Sequence, residues 1–113
     1  MNSLFLMKPL GGVNPQKDTS LLLMQAVQRL GYAVYYLPQG GISLTPQGPE
    51  FCVLPVTCTG SLQSPFDCGS ELILKEKDVH SIFIRTDPPF DDVYLHDMWL
   101  LDQLSDRITC VNS

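Results

Sequence analysis

The chain has 113 residues, of which 44% are hydrophobic and 17% charged, and its formal net charge is -5. This length suits one compact domain with a modest core and is too short for two, so residues 1–113 are predicted to form a single domain. The Lys and Arg residues form no basic cluster, which argues against nucleic-acid binding, and no apolar run approaches the roughly 18 residues of a transmembrane helix.

The first third of the chain predicts a β-α-β unit. Ser3–Met7 reads as a strand, and the Pro- and Gly-containing residues 8–14 read as the loop that leaves it. The amino terminus also lacks the positive region and long apolar segment of a signal peptide, so a cytoplasmic protein is expected. Asp18 or Thr19 can cap a following amphipathic helix. The next strand is Tyr32–Leu37, and the two strands should be parallel.

A β-hairpin insertion is predicted next. Residues 42–44 and 51–56 are mostly apolar, and they flank a turn that contains Pro and Gly. Residues 57–70 are rich in Ser, Thr, Gly and Pro, which predicts irregular surface chain. Residues 71–75 are expected to form another strand, paired with the hairpin or leading into the next turn.

The four cysteines indicate reduced thiols rather than a disulfide framework. Cys52, Cys58, Cys68 and Cys110 include no Cys-x-x-Cys pair. A zinc site built from the first three and His80 would match no standard ligand spacing. Buried or incidental cysteines are therefore the favoured interpretation.

Arg85 is the main candidate for a binding residue. It follows Ile82–Ile84, a short apolar run typical of a strand that is covered on both faces, and Pro88 and Pro89 then end that strand. Ligands of open α/β sheets collect beyond the carboxyl ends of the strands, where Arg85 and Asp87 are placed. A guanidinium there can hold a carboxylate with two hydrogen bonds.

A structural role for Arg85 has equal support at this point. The side chain can instead pair with Asp87 or Asp91 and fix the loop, since binding sites and structural ion pairs look alike in sequence. Both alternatives stay open.

The segment after this loop predicts a helix and a last strand. Asp91 or Asp92 can cap the helix, and residues 108–111 read as the strand. The helix is apolar around a wide arc, either because it packs on the sheet with Trp99 in the core or because part of its face meets another subunit or domain. The arc consists of Tyr94, Leu95, Met98, Trp99, Leu101 and Leu104, with His96 expected at the surface.

Three segments resemble the amino-terminal domain of the prokaryotic-type glutathione synthetases. They are residues 17–37 (KDTSLLLMQAVQRLGYAVYYL), 84–91 (IRTDPPFD) and 108–112 (ITCVN), which occur in the family's order and at similar spacing. The resemblance covers almost the whole chain, although residues 41–70 match only in their hairpin-like character. It implies an α/β fold: a small Rossmann-like (pre-ATP-grasp), three-layer domain with a mostly parallel central sheet and a β-hairpin insertion.

The resemblance also implies part of a larger ATP-grasp ligase. Such an enzyme joins γ-glutamylcysteine to glycine through an acyl phosphate, with ATP and magnesium bound in an ATP-grasp portion that these 113 residues lack. The isolated chain is therefore expected to be inactive. The implied partners are γ-glutamylcysteine, glycine or glutathione, the ATP-grasp domain, and a second copy if the protein is a homo-oligomer.

Several residues would line the peptide-substrate site in such an enzyme, and none of them is assigned a catalytic or metal-binding role. Arg85 would bind a carboxylate. The family usually has an acidic residue where this sequence has Lys8. The implied substrate-binding set is Arg85, Asp87, Pro88, Pro89, Phe90, Lys17 and Asp18.

Two hypotheses of different class remain. The chain is the amino-terminal domain of a glutathione synthetase, inactive alone, or it is a stand-alone, non-enzymatic Rossmann-like binding or oligomerisation module. Fold resemblance indicates ancestry more directly than activity, so both are kept.

Overall fold

A curled sheet of eight strands forms the centre of the fold in the computed structural model, which describes residues 1–86, 91–104 and 106–112. Short 3-10 turns lie at Leu10–Gly12 and Glu76–Asp78. The strands and helices are β1 (Asn2–Met7), α1 (Thr19–Arg29), β2 (Ala33–Pro38), β3 (Ile42–Thr45), β4 (Gly48–Cys58), β5 (Phe66–Cys68), β6 (Leu72–Lys75), β7 (Ser81–Arg85), α2 (Asp92–Leu101) and β8 (Thr109–Asn112).

The core of the sheet is parallel, as predicted. The strand order along the sheet is β3-β4-β2-β1-β7-β8. In its centre, β1 pairs in parallel with β2 on one side and with β7 on the other. β7 also pairs in parallel with β8. Parallel strands are normally covered on both faces, which agrees with the near-complete burial of residues 3–7 in β1.

The two helices cover opposite faces of this sheet, which confirms the three-layer prediction. Phe5 and Met7 of β1 pack in the same cluster as Met24 of α1. Leu4 and Leu6 point to the other face and share a cluster with Leu100 and Leu101 of α2. Each fully buried side chain of this kind contributes about 1.5–3 kcal/mol relative to an exposed one.

The predicted hairpin is present. β3 and β4 pair antiparallel, and the pairing of Thr45 with Gly48 closes the turn. Gly48 has a φ of 114, a backbone conformation that suits glycine. β4 also pairs with β2 and with β6, which confirms the strand predicted at residues 71–75.

The prediction of irregular chain over residues 57–70 is wrong in two places. β4 continues to Cys58, and Phe66–Cys68 forms β5, which pairs antiparallel with the end of β4. A strand is stabilised by hydrogen bonds to the strand beside it. The composition of a three-residue strand within a polar segment therefore does not reveal it.

Both helices begin at a capping aspartate. The Asp18 side chain accepts from the backbone N–H of Ser20, and the Asp91 side chain accepts from the backbone N–H of Tyr94. The structure therefore selects Asp18 over Thr19, and Asp91 over Asp92. Gly31 follows α1 with a φ of 87, as a residue just past a helix often does.

Trp99 is not a core residue, so that interpretation of α2 is wrong. Its side chain is 54% exposed, and that of Leu95 is 60% exposed, while His96 lies at the surface as predicted. The helix instead buries Asp97, which is 1% exposed and accepts hydrogen bonds from the Gly40 backbone N–H at 2.9 and 3.3 Å. The hydrophobic pattern could not reveal this partner, because Gly40 lies 57 residues earlier in the chain.

Candidate functional site

A pocket opens where β1, β7 and α1 meet. β1 ends at Met7 and β7 ends at Arg85, and these two residues are paired in the parallel ladder. The start of α1 forms the third wall. The volume is about 440 Å³, and the lining residues are Met7, Lys8, Gly12, Asn14, Lys17, Asp18, Thr19, Ser20, Arg85 and Thr86. The pocket thus lies at the carboxyl edge of the sheet, where open α/β folds bind their ligands.

Arg85 is tied to the first turn of α1. Its Nε donates to Ser20 Oγ at 3.1 Å, and its Nη2 donates to Thr19 Oγ1. Ser20 is only 6% exposed, so its hydroxyl is held in place by the surrounding packing. Both hydroxyl oxygens act as acceptors, and these two contacts orient the guanidinium against the first turn of α1.

Asp18 joins the helix to the loop after β1. Its Oδ1 accepts from the Ser20 backbone N–H at 2.8 Å. Its Oδ2 lies 3.6 Å from Lys8 Nζ. The Asp18 side chain is 14% exposed and that of Lys8 is 44% exposed, so Lys8 reaches inward from the rim of the pocket.

The loop between β1 and α1 is built from hydrogen-bonded turns. The Asn14 carbonyl accepts from the N–H groups of Lys17 and Asp18 at 3.1 and 2.9 Å. The Asn14 side chain accepts from the N–H of Gln16 at 3.0 Å. These bonds fix the approach to α1 and set Lys17 beside the cap.

The described lining of the pocket contains more cationic than anionic side chains, although the chain as a whole is negative. Among the described lining residues are three of the seven Lys and Arg residues of the chain, Lys8, Lys17 and Arg85, and one carboxylate, that of Asp18. The amino-terminal end of α1 adds partial positive charge at the same place. This arrangement favours a small anionic ligand, and a carboxylate matches the fork geometry of Arg85.

The predicted site residues are brought together only in part. Lys17, Asp18 and Arg85 line one pocket, and their role in binding a substrate stays a prediction. The other four predicted site residues lie outside the described residues; they are Asp87, Pro88, Pro89 and Phe90. The alternative in which Arg85 forms an ion pair with Asp87 therefore stays a prediction.

Sequence reasoning missed Thr19 and Ser20 as partners of Arg85. Their position at the start of a helix was visible in the sequence. Their contact with residue 85 was not, because it depends on β7 lying beside β1 in the sheet.

The cysteines do not form a reactive or metal-binding cluster. None of the four is in a disulfide. Burial raises the pKa of the Cys58 thiol, and burial together with the Glu71 carboxylate raises that of Cys52. His80 Nδ1 accepts from the Asn2 backbone N–H at 2.9 Å, and no group of three potential metal ligands occurs in the described ranges.

Within residues 1–86, 91–104 and 106–112, neither helix is long and apolar enough to cross a membrane.

Comparison with known proteins identifies relatives of the whole chain. The sequence model of the family "Prokaryotic glutathione synthetase, N-terminal domain" matches residues 1–113. Glutathione synthetase of Salmonella typhi is 27% identical over 105 residues, which are 93% of this chain and 33% of that protein. That of Ralstonia nicotianae is 29% identical over 102 residues, 90% of this chain and 32% of the relative. The Escherichia coli K12 enzyme is 25% identical over 105 residues, again 93% and 33%. The chain spans about a third of the length of these relatives.

Proposed function

We propose that this chain, which belongs to the family of prokaryotic glutathione synthetase N-terminal domains, forms the peptide-substrate side of a glutathione synthetase. Such an enzyme would join γ-glutamylcysteine to glycine with ATP and Mg²⁺. The chain would bind and orient the peptide in the cytoplasm, where its unbridged cysteines suit a reducing compartment. The isolated chain would be inactive.

One observation carries the proposal: Arg85 is held at the carboxyl edge of the sheet, in a pocket that also contains Lys8 and Lys17. The hydroxyls of Thr19 and Ser20 accept hydrogen bonds from Arg85 and orient its guanidinium at the start of α1. A carboxylate of γ-glutamylcysteine has the charge and the planar geometry that a guanidinium recognises.

The contribution of this chain to the reaction would be positioning. A substrate carboxylate fixed by Arg85 holds the peptide in one orientation, and correct orientation lowers the entropic part of the activation barrier. Asp87, Pro88, Pro89 and Phe90 are proposed to complete the wall beside Arg85. Lys17 and Asp18 would form the opposite wall, at the start of α1.

ATP and Mg²⁺ are not assigned to this chain. The described residues offer no group of three potential metal ligands, and the described part of the pocket lining contains a single carboxylate. Phosphate and metal chemistry would belong to the remaining portion of the ligase, which here is represented only by the longer relatives.

The direct test is titration of the purified chain with γ-glutamylcysteine, followed by calorimetry or NMR. Arg85→Ala should weaken binding at least about tenfold, because a charge-assisted hydrogen-bonded pair is lost. Arg29→Ala, at the far end of α1, is the matched control and should bind as the unchanged chain does. Equal affinity of the two variants would rule out the role of Arg85.

The stand-alone module is the alternative, and family membership favours the ligase domain over it. The two hypotheses predict different sequences in the reading frame beyond residue 113. An ATP-grasp sequence there would support the ligase domain, whereas a stop codon would support the independent module. Glutathione formation by the 113-residue chain alone, supplied with ATP, Mg²⁺ and both substrates, would contradict the proposed division of labour.

A further inference from the structure

A second pocket lies between the loop that precedes α1 and the loop that joins β4 to β5. Its volume is about 360 Å³, which is within the range of small-molecule sites. We propose that this pocket binds an uncharged small molecule with an apolar ring and a hydrogen-bonding group. The inference goes beyond the proposed function, because none of the described lining residues is assigned to the peptide substrate.

Both walls of this second pocket are formed largely by apolar residues. Leu10, Val13 and Pro15 come from the loop before α1, and Leu62 and Phe66 come from the segment after β4. Val13 belongs to the core cluster that α1 covers, and Leu10 and Phe66 pack against that cluster. The pocket is therefore continuous with the hydrophobic core, and a ligand gains about 25 cal/mol for each Å² of apolar surface that it buries there.

The described lining of this pocket carries no charge at neutral pH. Its polar members are Gln63, Ser64 and Cys68. Burial raises the pKa of the Cys68 thiol above its ordinary value of 9.0, with a further contribution from Asp67, so the thiol stays protonated. Phe66 and Cys68 both line the pocket, so Asp67 between them points to the other face of β5. An ionic ligand would therefore lose hydration without gaining an oppositely charged partner.

Both loops are held in shape by their own hydrogen bonds. Between β4 and β5, Thr59 Oγ1 donates to the Ser64 carbonyl at 2.6 Å, and Ser61 Oγ accepts from the Ser64 N–H at 3.1 Å. In the loop before α1, the Val13 N–H donates to the Leu10 carbonyl at 3.1 Å. The walls are therefore preformed, which lowers the entropic cost of binding a ligand between them.

The loop before α1 separates this pocket from the one that contains Arg85. Gly12 and Asn14 line the pocket of Arg85, whereas Gly11 and Val13 line the second pocket. Residues 11–14 thus alternate between the two sides of a shared wall. The two pockets can therefore hold different ligands at the same time.

The experiment titrates the 113-residue chain with benzyl alcohol and with benzoate and follows the backbone amides by NMR. The two probes share an aromatic ring and differ in carrying an uncharged hydroxyl or a carboxylate. Benzyl alcohol should shift amides near residues 10–13 and 62–68 in a saturable way, with a dissociation constant of about 1–10 mM for a ligand of this size. Benzoate should bind this pocket at least about tenfold more weakly, because its charge finds no partner there.

The cysteines provide a second measurement with an internal control. Cys68 lines the pocket and Cys110 of β8 does not, and both are exposed. Benzyl alcohol at about ten times its dissociation constant should slow the alkylation of Cys68 by iodoacetamide at least about threefold, because an occupied pocket shields the thiol. The alkylation of Cys110 should be unchanged. Peptide mass spectrometry measures both rates in one sample.

A matched pair of variants tests the wall of the pocket. The Leu62 side chain is 60% exposed, so Leu62→Ala leaves the fold intact and should weaken the binding of benzyl alcohol about threefold. Leu22 of α1 is 63% exposed and does not line the pocket, so Leu22→Ala should bind as the unchanged chain does.

Four results would overturn the inference. Benzyl alcohol may shift amides over the whole surface without saturation, or benzoate may bind this pocket equally tightly. Leu62→Ala and Leu22→Ala may bind benzyl alcohol alike. Finally, a dimer that Leu62→Ala dissociates would mean that a second copy of the chain covers the pocket, and solution mass measures this.

Discussion

The two helices pack on the same sheet, yet they bury different kinds of side chain. α1 buries apolar residues on one side, among them Met24, which is fully buried, and leaves Leu22 at 63% exposure on the other. α2 buries Asp97 and exposes Leu95 and Trp99. The buried side of α1 is thus mainly apolar, whereas the buried side of α2 includes a carboxylate.

The difference has a specific cause. Asp97 faces the turn after β2, where the Gly40 backbone N–H donates to both of its oxygens. Gly40 has a φ of 80, and a Cβ there would lie 3.4 Å from a methyl carbon of Val93 on α2, so the turn and the helix approach closely. A buried carboxylate needs such a donor. The comparison shows that the groups opposite a helix, as well as its own residues, determine which side of the helix is buried.

The helices also differ in what they do for the pocket. The first turn of α1 and its cap supply Asp18, Thr19 and Ser20, which position Lys8 and Arg85. None of the residues of α2 lines it. Helix α1 therefore belongs to the candidate site, whereas α2 covers the opposite face of the sheet.

The strongest way to test the contrast is to remove a core side chain from α1. Met24→Ala should lower the free energy of unfolding by about 2–5 kcal/mol, through lost apolar burial and a residual cavity. Leu22→Ala on the exposed side should change it by less than about 0.5 kcal/mol. Urea denaturation measures both, and similar losses in the two variants would mean that α1 is not packed as described.

The second test removes the buried acid from α2. Asp97→Ala takes away the acceptor of the Gly40 N–H and should lower the free energy of unfolding by about 1–3 kcal/mol at neutral pH. Asp102→Ala, at the exposed end of the same helix, should stay within about 0.5 kcal/mol of the unchanged chain. An Asp97→Ala variant as stable as its control would show that the Asp97–Gly40 contact does not hold α2 in place.

A smaller effect is expected when only the charge of Asp97 changes. Burial raises the pKa of this carboxyl above its ordinary value of 3.8, with a smaller contribution from Asp91, while the Gly40 hydrogen bond and His96 lower it. Between 3.8 and the raised value the native state binds more protons than the unfolded state. The contribution of Asp97 to stability therefore falls as the pH rises through that window and is restored as the pH falls.

Asp97→Asn isolates this contribution, since the amide does not titrate. The free energy of unfolding of the unchanged chain, minus that of the variant, should increase as the pH is lowered from about 7 towards about 4. Urea titrations at several pH values give this difference, in which the other ionisable groups cancel. A difference that is constant across the range would contradict the raised pKa.

The smallest effect is expected at Trp99. Because this side chain is 54% exposed, Trp99→Ala should alter the free energy of unfolding by no more than about 0.5 kcal/mol, unlike Met24→Ala. Trp99 is the single tryptophan of the chain, so its fluorescence should be readily quenched by acrylamide. A large loss of stability, or a change of solution mass in the variant, would reveal that the exposed face of α2 is covered by a second copy.

Local patterns were sufficient for most of the elements. The strand before Arg85, the aspartate caps and the hairpin each depend on residues close together in the chain, and the structure contains all of them. β5 was missed and Trp99 was misplaced, because both depend on partners from distant segments. The candidate site shows the same division: Arg85 was found from its position after a strand, whereas its contacts with Thr19 and Ser20 were not.

The sequence by itself determined the family, the order of the elements and the placement of Arg85 at the end of a buried strand. These features are carried by short-range patterns and by motifs of consecutive residues. Only the tertiary structure decided that Lys8, Asp18 and Arg85 share one pocket and that Asp97 lies inside while Trp99 lies outside. The physical reason is the parallel sheet, which sets Met7 beside Arg85 from a distant part of the chain, and the close approach of Gly40 to α2.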